Sequence, residues 1–92
     1  MADAYLRSVR NDSNGDIAKI TVSGTPAGKV TDVKRKPSVV RDIDSGEMTY
    51  ATAVKVDGEF VVGDEVHTVE NKYIRTDGNE IPQDNLGDLP NF

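Results

Sequence analysis

The chain has no cysteine and no tryptophan, one histidine, and aromatic residues at only 5% of its 92 positions. Without cysteine there is neither a disulfide nor a thiolate metal site, which excludes stapled secreted modules and thiolate zinc domains. The lone His67 has no second imidazole with which to complete a common zinc set. Its place between Val66 and Thr68 reads as an exposed or half-buried strand position. No apolar run approaches the length of a membrane span, and the opening MADAYLRSVRNDSNG holds no signal-peptide core. The expectation from these absences is a cytoplasmic protein with no membrane segment.

Signature motifs are equally scarce. The glycines spell neither a phosphate-binding loop nor a dinucleotide fingerprint, and no serine sits in a glycine-flanked elbow. Two oxygen-rich stretches, NDSNGD at 11–16 and DIDSGE at 42–47, resemble pieces of calcium loops. Neither has the required glycine and distal glutamate spacing. A hairpin turn explains the first and a helix end the second. The residues therefore name no catalytic group, metal ligand or cofactor, and the chain reads as a non-enzyme.

What is present is valine, twelve of them, against an apolar content of 36%. Valine is stiff at χ1 and packs well on a pleated surface, so the composition leans towards strands. The length allows one domain, residues 1–92, with a thin core. The net charge of −5 is unevenly spread: residues 1–41 carry eight Lys/Arg against four Asp, whereas 42–92 carry three against twelve acids. Two halves of opposite sign attract if they pair in one fold.

Turn chemistry divides the sequence. Asn14-Gly15, Asp57-Gly58 and Asn71 each separate two runs rich in Val, Ile, Tyr and Thr, and Asp77-Gly78 follows the last run. These residues tolerate the positive φ of tight hairpins, so hairpins are predicted at about 4–23, 48–63 and 64–76. Alternation agrees: Ala18, Ile20 and Val22 share one face, and Met48, Tyr50, Thr52, Val54 and Val56 share another. Between the first two hairpins the apolar spacing changes to three and four (Val30, Val33, Val39, Val40, Ile43). One short helix is predicted at about 38–45, with Ser38 as N-cap and Gly46 as its stop. The fold expected is mainly β: five to six antiparallel strands in a small curled sheet or open barrel with one helix, the alternative being α+β. In the last stretch Ile81, Leu86, Leu89 and Phe92 recur every three to five residues, which points to irregular chain docked on the core.

The C-terminal run Tyr73-Ile74-Arg75-Thr76, followed by Asp84-Asn85-Leu86 and Leu89-Pro90, resembles the ending of a family of small bacterial domains of unknown function. The resemblance covers about the last twenty residues closely and the rest of the chain loosely. It implies a shape and carries no activity. The motif itself has a physical reading as a latch. Arg75 is suited to pair with a carboxylate such as Asp84. Asp84 or Asn85 caps the following turn, and Leu86 and Leu89 cover a sheet edge. In the functional alternative Tyr73, Arg75 and Asn85 line a ligand pocket.

One basic cluster stands out: Lys34-Arg35-Lys36 with Lys29 and Arg41. It reads either as a patch for an acidic partner or as a solvated strand edge, where lysine guards against edge-to-edge association. An acidic protein is a poor ligand for nucleic acid, which is therefore disfavoured. The function expected is a non-enzymatic interaction module that binds a protein or peptide through a sheet edge or acidic face, as a monomer or weak homodimer. The alternative is a nucleic-acid accessory protein using the basic cluster at 29–41.

Overall fold

A β-hairpin needs positive φ at its tip, and three tips have it. Gly15 lies at φ 84°, Asp57 and Gly58 at 51° and 84°, and Glu70 and Asn71 both at 55°. A computed structural model of the chain describes residues 2–76, 83–86 and 89–92. The predicted Asp77-Gly78 turn and Ile81 lie outside the described residues. The three tips join β1 (Ala4–Asn11) to β2 (Ile17–Ser23), β4 (Tyr50–Val56) to β5 (Glu59–Glu65), and β6 (His67–Val69) to β7 (Tyr73–Arg75). At the first tip the Asp12 carboxylate accepts the backbone N–H of Asn14 at 2.9 Å and of Asp16 at 3.1 Å. The oxygen-rich stretch at 11–16 thus serves its own turn.

Between the hairpins lie β3 (Val30–Arg35) and one helix, α1 (Lys36–Asp44). The five longer strands form one sheet in the order β3-β2-β1-β4-β5, and β6 and β7 form a separate two-stranded ribbon. The protein is mainly β with one short helix among the described residues and a sheet that is not closed into a barrel, as expected, but it departs from the expectation in two ways. The described residues form seven strands, not five or six. The sheet is mixed, because β4 runs parallel to β1 through Ala4↔Tyr50, Tyr5↔Ala51 and Leu6↔Thr52. The parallel pair arises because α1 carries the chain from the β3 edge to the far side of β1, a crossover that a hairpin cannot make.

The three-residue spacing of Val30 and Val33 has a β-sheet cause. Ser23 pairs with Val30 and Thr21 with Val33, so Thr31 is an extra residue in the ladder. A bulge of this kind places residues three apart on one face and imitates helical spacing. Leu6 and Val9 in β1 are related in the same way, across a register shift at Arg7.

α1 begins at Lys36, two residues before the predicted start. Arg35 occupies the N-cap with no side-chain hydrogen bond, and Pro37 sits in the first turn, where its missing N–H costs nothing. Ser38 is therefore inside the helix. Gly46, at φ 78°, ends it by donating its N–H to the Ile43 carbonyl at 3.1 Å. Val39 and Val40 turn into the core and are almost wholly buried. The core lies on one face of the sheet: Leu6, Val9, Ile20, Val22 and Tyr50 meet Val39 and Val40 of α1, Val66, Ile74 of β7, and Leu86. We call this the covered face. On the opposite face a small cluster of Tyr5, Ala51 and Ala53 is buried, with Ala2 packed against it.

A polar strut pins α1 to the sheet. Lys34 Nζ donates to Asp42 Oδ2 at 3.1 Å and to the Tyr50 hydroxyl at 3.0 Å, and that hydroxyl donates to Asp42 Oδ2 at 2.7 Å. Tyr50 is fully buried.

Candidate functional site: the C-terminal segment and the uncovered sheet face

Asp84 is the centre of the C-terminal segment. Its carboxylate is 6% exposed and takes three donors: Ile74 N at 3.0 Å on Oδ1, and Ile17 N at 3.2 Å and Lys36 Nζ at 2.8 Å on Oδ2. One side chain thereby ties the start of β2, the start of α1 and the middle of β7. Next to it, Asn85 donates its N–H to the Ile74 carbonyl at 2.9 Å and accepts from Thr76 N at 3.0 Å. Leu86 is buried in the main core and Leu89 packs against it.

The pairing of Arg75 with Asp84 expected from the sequence is not the one formed. Arg75, 4% exposed, donates to the Gln83 carbonyl at 2.9 Å, whereas Asp84 is held by two backbone N–H groups and Lys36. Arg75 and Asn85 are bridged in parallel sense, and the described surroundings of Tyr73, Arg75 and Asn85 differ. Arg75 is buried, the Tyr73 ring lies 5.5 Å from both Lys36 Nζ and Lys72 Nζ, and Asn85 borders a separate groove beside Gly15 and Ile17.

The final residues complete β1. β4 pairs with β1 only as far as Leu6, and beyond that point the C-terminal segment takes its place. Val9 N donates to the Pro90 carbonyl at 2.9 Å, and Phe92 N donates to the Val9 carbonyl at 3.1 Å. Val9 and Asn91 are bridged in parallel sense, which puts Phe92 on the same face as Arg10. The Phe92 ring then lies 4.8 Å from the Arg10 guanidinium, whose Nε donates to the Phe92 main-chain oxygen at 2.9 Å.

The basic cluster read from the sequence is divided by the fold. Lys34 turns inward to Asp42 and Tyr50, and Lys36 to Asp84, while Lys29, Arg35 and Arg41 stay exposed. Lys34 and Arg35 lie on opposite faces of β3, as neighbours in a strand must, and Arg41 is on the helix. The five do not form one patch.

A different set does converge. Arg10 pairs with Lys19 across β1 and β2, and Lys19 pairs with Arg35 across β2 and β3. These three exposed cations stand side by side across adjacent strands on the face away from α1, with Phe92 at the end of the row. Among the described residues no Asp or Glu side chain lies within 4.0 Å of any of the three, and Arg10 is bonded to the Phe92 oxygen. Ser8, Thr21 and Val33 form the next row, and the one beyond holds Tyr5, Ser23 and Val30. Arg7 lies at that end, donating to Ser23 Oγ and to the Gly28 carbonyl, with its guanidinium 4.5 Å from the Phe60 ring. Directly opposed like charges destabilise a strand pair, so folding alone gives this row no reason. The pairing follows from the turn together with a bulge: Asn11 pairs with Ile17 next to the tip, and the extra residue Ala18 brings Lys19 opposite Arg10.

Other concave features are less suggestive. A groove of about 650 Å³ lies between α1 and the β6–β7 turn, walled by Lys36, Pro37, Val40, Arg41 and Lys72 among others. Of its cations Lys36 is already bound to Asp84, and Lys36 and Lys72 both lie over Tyr73. The Lys34–Asp42–Tyr50 strut shifts the proton affinities of its three members. The hydrogen bond to Tyr50 raises the Lys34 pKa above the ordinary lysine value. Burial raises the Tyr50 hydroxyl, and the Tyr50 hydrogen bond lowers Asp42 below the ordinary carboxylate value. His67 is half-buried on β6 opposite Arg75, and among the described residues no group of three or more His, Asp and Glu is placed to hold a metal ion. No described helix is long and apolar enough to cross a membrane.

No curated protein and no solved structure matches the chain. Residues 6–90 match the family described as "protein of unknown function (DUF3892)", and the chain belongs to that family.

Proposed function

We propose that the protein is a non-enzymatic interaction module whose working surface is the uncovered face of its five-stranded sheet. One observation carries this reading. The core that joins α1, the β6–β7 ribbon and Leu86 to the sheet lies entirely on one face, and the other presents the Arg10–Lys19–Arg35 row to solvent. In this reading the C-terminal segment is a latch. Asp84 and Leu86 hold the covered face together, and residues 90–92 fill the β1 edge that β4 leaves open. The signature residues then serve stability, and binding falls to residues outside them.

Site-specific photo-crosslinking in the host cell tests the surface. A photoreactive residue at Lys19 or Val33, both exposed on the uncovered face, is expected to give discrete adducts, and one at Arg41 on α1 none. Adducts from Arg41 alone, or from no position, would overturn the reading.

A second reading has its own observation. β5 is an edge strand of seven residues, nearly all exposed, with Val61 and Val62 about half exposed between Glu59 and Asp64. Such an edge suits an extended basic peptide added as a further strand. A photoreactive residue at Val61 giving the dominant adduct supports it over the face.

A further inference from the structure

We infer that the row formed by Phe92, Arg10, Lys19 and Arg35 binds single-stranded nucleic acid. The inference rests on the uncovered face being the working surface and assigns its ligand. Three features lead to it. First, three cations stand in register on neighbouring strands, about 4.8 Å apart from strand to strand, so their charges converge on one line across the sheet. A polyanion laid along that line relieves their mutual repulsion. Second, the line ends in an aromatic ring held in place by the parallel bridge at Val9 and stacked on Arg10. A second aromatic–cation pair, Arg7 with Phe60, lies near the other end of the sheet. Cations take phosphates and rings take bases, which is the pairing that single strands require. An acidic peptide makes use of the cations and leaves the rings idle. Third, Arg10, Lys19, Arg35 and Phe92 are exposed, whereas Ser8 and Thr21 between the two ends are short and bonded to each other. The surface beside the row is therefore low, and among the described residues the one helix, of the kind that enters a duplex groove, lies on the opposite face. A flat sheet face suits unstacked bases.

The charge of the whole chain, −5, opposes any polyanion. Binding is thus expected to be weak and to need low salt, with a slope that reports the few phosphates engaged. For three contacts to a single strand, affinity should fall roughly 20-fold between 50 and 200 mM salt.

The test is fluorescence anisotropy of the full chain with labelled oligo-dT and oligo-U of about ten nucleotides. Binding with that salt dependence is expected for one or both strands. Lys19→Glu with Arg35→Glu should weaken it at least about tenfold, and Phe92→Leu about fivefold or more. Arg41→Glu, on the other side of the molecule, should leave it unchanged. Lys19→Glu replaces a repulsive neighbour by an attractive one, so its melting temperature should be equal to or above that of the parent, which separates lost binding from lost fold. No binding at 50 mM salt, equal loss in Arg41→Glu, or tighter binding of polyglutamate than of either oligonucleotide would overturn the inference. Adducts from the photoreactive Lys19 position to a protein, without oligonucleotide binding, would overturn the ligand and leave the surface standing. Loss of both results would remove both.

Discussion

Asp84 illustrates how much one side chain can bear in a small domain. Its carboxylate is nearly buried and satisfies an ammonium and two backbone N–H groups from three elements. Asp84→Ala removes the acceptor and leaves Lys36 and both N–H groups with buried donors and no partner, at about 3 kcal/mol or more. In a domain of this size that corresponds to a melting temperature lower by about 12 °C or more, measurable by circular dichroism. Lys72→Met, which removes an exposed cation, should shift it by no more than a few degrees. The strut residues make a pH prediction. Asp42 is depressed in the folded state, so its contribution is complete above about pH 4 and is lost as pH falls through the folded value. Lys34 and Tyr50 are raised, so theirs is complete below about pH 10 and is lost as pH rises through the folded values. Urea midpoints recorded against pH should fall on both limbs in the parent. In Asp42→Asn the acid limb should be shallower, because the group that must be protonated there is gone.

At the scale of elements, the short helix and the C-terminal segment depend on the sheet. α1 has nine residues and no side-chain N-cap, too little to persist alone, and its place is set by Val39, Val40 and the Lys34–Asp42–Tyr50 strut. Deleting residues 84–92 removes Leu86 from the core, worth about 2 kcal/mol, along with the Asp84 bonds and the partners of Val9. The truncated chain should melt at least about 15 °C lower. An unchanged melting curve would show that the segment is not a latch. Gly63 makes a finer test. A Cβ there would lie 2.3 Å from Thr52 Oγ1, so Gly63→Ala should cost about 1–3 kcal/mol and Thr52→Ala should recover part of it. The hairpins were legible because Asn-Gly, Asp-Gly and Asn71 chemistry acts within a few residues. β3 was hidden because its bulge at Thr31 gives Val30 and Val33 a helical spacing, and the parallel β1–β4 pair because a crossover leaves no local mark.

Across the whole molecule the charge asymmetry finds its place. Both ion pairs among the described residues, Lys34–Asp42 and Lys36–Asp84, join a base from the first half of the chain to an acid from the second. The attraction expected between the halves thus operates inside the fold. It also withdraws two lysines from the cluster at 29–41, which is why that patch, so evident along the sequence, does not exist as a surface. The cations left over are gathered by strand register, which depends on the hairpin tip and the bulge at Ala18 and not on adjacency along the chain. Backbone NMR of the labelled full chain during titration with oligo-dT at low salt tests the central claim directly. Chemical-shift changes centred on Ser8, Arg10, Lys19, Thr21 and Arg35, with Lys36–Asp44 unmoved, are the expected result. Changes confined to the groove of Lys36, Arg41 and Lys72, or none at all, would contradict it.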